Sequence, residues 1–195
     1  MENHFFNFIN PFLDKIDGGD FFRKPFKWLY TTLAALNLLF PFYLLYICIS
    51  EKVFKYAEAK AIILLILILL VVAFASWVSF QLWWNRKDKV TLTSEKDDNF
   101  IAIPVFSHFI QTLGEWIGSW IAIVGCLSAL LFSLFLGSDS SDSSSLAENM
   151  SLGFLNVSLL GVIIMPIYGF LIIVSSRVLA EGMRALAMIA NNTRK

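Results

Sequence analysis

Four long apolar stretches, at residues 28–50, 61–84, 115–136 and 155–175, divide the chain, and each closes in polar or charged residues. Each is long enough for a helix to cross a hydrocarbon core about 30 Å thick. The pattern predicts an all-α membrane protein with four transmembrane helices. Residues 25–195 then form one transmembrane domain, and residues 1–24 stand apart as an amphipathic N-terminal segment. In that segment Phe5, Phe8, Ile9, Phe12 and Ile16 recur at helical spacing. Asn10 and Pro11 suit a helix start, and Gly18-Gly19 breaks the helix. The segment is too short and polar to span, so it is expected on the membrane surface or against the bundle.

The third stretch carries the most informative polarity. The residue before a proline is disfavoured in helical conformation, so this helix is expected to begin at Pro104 and run to residue 136. At 1.5 Å per residue it would be about 50 Å long, more than the bilayer core needs. Residues 104–114 are therefore expected to project from the membrane. On a wheel of 100° per residue, His108, Gln111, Thr112, Glu115, Ser119, Cys126 and Ser133 share one narrow sector. Gly114, Gly118 and Gly125 line the neighbouring sector and favour close helix packing. A spacing of this kind does not separate packing within one chain from dimerisation.

The fourth stretch is expected to start near residue 153, after the serine-rich loop of residues 137–150, and to continue past the bilayer as residues 176–190. There Leu179, Met183, Leu186 and Ala190 form an apolar stripe, and Asn191-Asn192 suits a helix stop. Arg177 and Arg184 flank Glu181 at distances that allow pairing along the helix. Pro41 and Pro166 interrupt the first and fourth spans near their middles, and Pro41 frees the carbonyl of Asn37. A kink with the Asn37 side chain beside that carbonyl is expected. Trp28 and Tyr30 open the first span and Trp83 and Trp84 close the second, as interfacial rings do.

Composition agrees with the pattern. The chain is 57% hydrophobic and 15% charged, where soluble domains carry about 25% charged residues. Its net charge is zero, which gives no pull towards nucleic acid. Cys48 and Cys126 both lie in apolar runs and are read as apolar filler.

The distribution of charge orients the chain. Four basic residues lie in each of the N-terminal segment, residues 85–103 and the C-terminal segment. The first loop has Lys52, Lys55 and Lys60, and the serine-rich loop has none. The positive-inside rule then places both termini in the cytoplasm.

With that topology, Glu115 and Arg177 end their spans at the same depth. Gln111 and His108 fall near Glu181 and Arg184, so helices 3 and 4 are expected to extend into the cytoplasm as a polar-zipped hairpin. A salt bridge is one reading of Glu115; an ion or proton station is the other, since ionisable groups in membrane segments are costly. His108 is two turns from Glu115, roughly 10 Å, too far for direct proton transfer. No HExxH, GxSxG, phosphate-cradling glycine loop or CxxC occurs. The sequence therefore suggests no catalytic residue, metal or cofactor.

The ending Arg177-Val-Leu-Ala-Glu181 followed by Ile189, Ala190 and Asn191 resembles small bacterial inner-membrane proteins of a domain-of-unknown-function family. The resemblance implies a bacterial inner-membrane location and brings no activity with it. Together these features suggest a protein that acts by assembly, as a homo-oligomer or an accessory subunit of a membrane complex. The alternative is an oligomeric channel or small transporter, because interrupted helices mark midplane sites in transporters. The expected partners are the lipid bilayer and a further copy or another membrane protein.

Overall fold

A computed structural model describes residues 20–92, 102–136 and 159–193. Its regular elements are α1 (Asp20–Ser50), α2 (Val53–Tyr56), α3 (Ala59–Arg86), α4 (Lys89–Leu92), α5 (Ala102–Trp120), a π-helical turn (Ile121–Gly125), α6 (Cys126–Leu136) and α7 (Leu159–Thr193). Four stretches are long and apolar enough to cross a membrane: Lys24–Ser50, Ala59–Arg86, Ala102–Phe135 and Leu160–Thr193.

Several boundaries differ from the sequence expectation. The proposed N-terminal helix at residues 1–19 lies outside the described residues, as do the serine-rich loop and the proposed start near residue 153. α1 begins at Asp20, so residues 20–24 belong to the first long helix. Pro25 sits early in α1, where its missing N–H removes a single early hydrogen bond. α5 begins at Ala102, which puts Pro104 inside the first turn, the place where proline is tolerated. α7 runs through Asn191-Asn192 to Thr193, whose hydroxyl donates back to the Ile189 carbonyl. α1 and α7 also continue through Pro41 and Pro166 as single helices. Lys52, between α1 and α2, takes the left-handed conformation (φ 55°) that turns the chain towards α3.

The third apolar stretch is not one straight α-helix. The π-turn winds more widely than the α-helices on either side and resets the phase of everything after it. The wheel that aligned His108 with Ser133 therefore loses its register. Cys126 and Ser133 are half-buried, and the deeply buried positions of α6 are Ser128, Ala129 and Phe132.

Two antiparallel pairs form the molecule: α1 with α3, and α5–π–α6 with α7. α5 is the shared element, since it also meets α1 and α3. At the end near Asp20 the core is aromatic. Tyr30, Ala34, Trp83, Val90 and Val105 are buried there, with Phe109 and Trp116 packed against them. Tyr30 meets Trp83 edge-to-face at 4.9 Å between centroids. At the other end Leu64, Ile68 and Val72 of α3 pack on Phe132. Tyr30 and Trp83 are thus core residues rather than interfacial rings; Trp28 and Trp84 remain exposed.

The glycines explain why α7 lies so close to α5. A Cβ at Gly118 would stand 2.5 Å from the Gly169 carbonyl oxygen, and one at Gly169 would overlap the Gly118 carbonyl. A Cβ at Gly114 would overlap the Ser176 side chain, and one at Gly125 would press on Met165. The three glycines of the third stretch thus serve packing within this chain.

Candidate functional site

The polar centre lies between α3, α5 and α7, around Glu115. Glu115 is 6% exposed on α5. Its Oε1 accepts from Arg177 Nε at 3.0 Å, Arg177 Nη2 at 2.8 Å and Gln111 Nε2 at 3.1 Å. Its Oε2 accepts from Arg86 Nη2 at 2.5 Å. One carboxylate thus joins three helices by charge-assisted hydrogen bonds, the strong kind.

Arg184 extends the network outward along α7. It donates from Nη2 to Gln111 Oε1 at 2.5 Å and from Nε to Ser107 Oγ at 3.1 Å. Ser107 Oγ in turn donates to the Pro104 carbonyl at 2.8 Å. Gln111 is a relay: its amide nitrogen serves Glu115 and its amide oxygen serves Arg184. Glu181 stays out of the network. It is exposed and takes no ion pair among the described residues, because Arg177 and Arg184 turn towards α5 instead.

His108 belongs to a different cluster from the one its sequence position suggested. It faces α1, where its Nδ1 lies 2.9 Å from Tyr30 Oη. Tyr30 Oη donates to Thr112 Oγ1 at 3.1 Å, and Thr112 Oγ1 donates to the His108 carbonyl at 2.8 Å. Each hydroxyl has one proton. The assignment that satisfies all three contacts places a proton on His108 Nδ1, which donates to Tyr30. Tyr30 and Thr112 are fully buried, so the chain of donors welds α1 to α5.

Asn37 likewise departs from its expected role beside Pro41. Its Nδ2 donates to the Leu33 carbonyl at 2.8 Å, and its Oδ1 accepts from Trp116 Nε1 at 3.0 Å. Pro166 lies beside Met165, the residue on which Gly125 closes.

Arg86 and Tyr30 are the members that sequence reasoning missed. In the sequence Arg86 stands only among the basic residues of 85–103, and Tyr30 reads as an interfacial ring. The available signal for Arg86 was its depth, since it ends its span at the same level as Glu115 and Arg177. Lys27, near the start of the first span, pairs at 3.0 Å with Asp88, just beyond the end of the second, and ties α1 to the turn after α3. The hydrogen bond from Lys27 holds the Asp88 carboxyl below its ordinary range. Among the described residues no three His, Cys, Asp or Glu side chains converge as metal ligands would, and Cys48 and Cys126 are free thiols. The arrangement around Glu115 can hold charge and fix helices.

The chain matches no protein-family model, no curated protein and no solved structure.

Proposed function

We propose that the chain is a four-span protein of the bacterial inner membrane, with both termini in the cytoplasm, that works by assembly. It acts as a homo-oligomer or as an accessory subunit of a membrane complex, without catalysis of its own. Twelve basic residues on the proposed cytoplasmic side, against three on the other, support the orientation. The resemblance of the C-terminal helix supports the location.

The observation that carries the reading is the bare apolar surface on the projecting half of α7. The 35 residues of α7 give about 52 Å of helix, against a hydrocarbon core of about 30 Å. With Arg177 at the membrane edge, the helix beyond it leaves the bilayer. Val178, Leu179, Leu186, Met188 and Ile189 lie in that part, each more than 60% exposed. A projecting face of this kind needs a protein cover.

The channel reading asks the polar seam to face a shared axis. Glu115, Gln111, Arg177 and Arg184 instead bond to one another within the chain, which favours assembly.

Purification in mild detergent with native mass measurement tests the proposal. A discrete multiple of 22.1 kDa, or a stoichiometric partner, is the expected result. Disulfide trapping through Leu186→Cys, with Cys48 and Cys126 replaced by Ala, would place the contact on α7. A lone 22.1 kDa species with no trapped contact overturns the reading.

A further inference from the structure

We infer that Arg177 and Arg184 form a binding site for the phosphate of an anionic phospholipid headgroup, at the cleft between α3 and α7. The inference rests on the membrane placement proposed above but not on assembly.

The charge balance of the Glu115 network comes first. Arg86, Arg177 and Arg184 surround a single buried carboxylate. Both oxygens of Glu115 are occupied by Arg86, Arg177 and Gln111. Arg184 is half-buried, and its partners are the neutral Ser107 and Gln111. Two positive charges are therefore left without a buried counter-charge. Glu181 is exposed on the same helix and takes neither arginine among the described residues. Burying a guanidinium without an anion is costly. The network nevertheless holds Arg184 in place by two hydrogen bonds rather than releasing it to solvent.

Geometry supplies the rest. Arg177 uses Nε and Nη2 on Glu115 while half its side chain (52%) is exposed, so Nη1 remains to donate outward. Arg184 likewise keeps Nη1 free of the contacts described above. The two arginines are seven residues apart on one face of α7, about 10 Å along the axis. With Arg177 at the hydrocarbon edge, the space between them falls at headgroup level, since the polar layers add only some 5–8 Å on each side. Phosphate matches the forked donor pattern of arginine.

Below this point α3 and α7 make at most a marginal contact with each other. Phe170 and Ile163 lie on the same face of α7 as Arg177, respectively two and four turns deeper counting back from it, and are 62% and 64% exposed. They provide a wall for the acyl chains of the same lipid.

The test is native mass spectrometry of the full chain in lipid nanodiscs and in delipidated detergent, with phosphatidylglycerol and phosphatidylcholine offered in equal amounts. Each surplus cationic side chain favours an anionic surface by about fivefold, so the wild type should retain the anionic lipid at least about tenfold over the zwitterionic one. Arg184→Gln should lower that preference about fivefold, and Arg184→Lys should keep most of it. Equal retention of the two lipids by the wild type overturns the inference, whether or not the variants fold. Displacement of the bound lipid by inorganic phosphate, with phosphate binding equally well in lipid-free detergent, would assign the site to free anions and overturn the headgroup assignment. Failure of the chain to enter nanodiscs would instead remove the membrane reading itself.

Discussion

The two helix pairs of this molecule are both apolar enough to cross a membrane, yet they are held together in different ways. α5–π–α6 and α7 approach until glycine backbone meets glycine carbonyl, and their polar groups are joined in a network of directed hydrogen bonds. α1 and α3 meet through bulky side chains and leave a groove of about 410 Å³ lined by Leu38, Pro41, Leu45, Ala73 and Trp77. Ser76 Oγ lies buried in that pair with no hydrogen-bond partner among the described residues. The contrast shows that hydrophobicity sets which segments become membrane-length helices, whereas small residues and paired charges set how tightly two of them dock. Lipid is as apolar as leucine, so apolar content alone gives helices little reason to prefer each other.

The sharpest break in the tight pair is Glu115→Ala. It leaves Arg86 and Arg177 facing each other without the anion between them. A loss of about 3 kcal/mol is expected, at the lower end for a broken buried pair because Arg177 is half exposed. Denaturant titration of the detergent-solubilised protein would show it; an unchanged midpoint would mean that the network contributes nothing to the fold.

Next comes Gly118→Ala, which drives a methyl group to 2.5 Å from the Gly169 carbonyl oxygen. A destabilisation of about 2 kcal/mol is expected from overpacking. Gly182→Ala is its counterpart on the free face of α7, where an added Cβ meets nothing within 4 Å. That change should stabilise by up to about 1 kcal/mol through helix propensity. If the two glycine variants behave alike, close packing is not what sets this pair apart.

The loose pair should tolerate a larger insult. Ala73→Leu projects into the α1–α3 groove, and a change within about 0.5 kcal/mol is expected in the same titration. A loss comparable to that of Gly118→Ala would erase the distinction between the pairs.

The smallest effect concerns the link between α1 and the turn after α3. Asp88 is held below its ordinary value by Lys27. Its contribution is therefore present above the ordinary aspartate value of about 3.9 and is lost as pH falls through the lower folded value. Asp88→Asn should slightly lower thermal stability at neutral pH, flatten the acid limb of the profile and converge on the wild type below the folded value. A larger effect in acid than at neutral pH would contradict the sign.

Much of the candidate site was legible along the chain, and the missing parts have identifiable causes. Glu115 and Arg177 each end an apolar run on the same side, so their depths could be compared by counting. Glu181 was expected in the seam from its spacing to Arg177 and Arg184, but spacing along one helix cannot say that both arginines turn towards a neighbour. His108 shared a sector with Glu115 on a wheel, yet that sector is broad enough to face two helices, and His108 meets the hydroxyl on α1. Ser133 and Cys126 left the seam because a π-turn intervenes, and nothing in Ile121–Gly125 breaks apolar periodicity. Along the π-turn Ala122 and Gly125 lie against Gly169 and Met165 of α7, a contact between two helices that one helix's pattern does not display.

The sequence alone determined four membrane-length helices, because the length of an apolar run and the charges that end it are local properties. It also determined which face of the third helix admits close approach, because glycine has no side chain to keep a neighbour away. Tertiary structure decided the partners: Arg86 as the second cation on Glu115, Tyr30 as the hydroxyl for His108, and Trp116 as the donor to Asn37. Each of these contacts joins residues at least 29 positions apart. A directional bond across that separation depends on helix rotation and crossing, which packing fixes only when all four helices are in place.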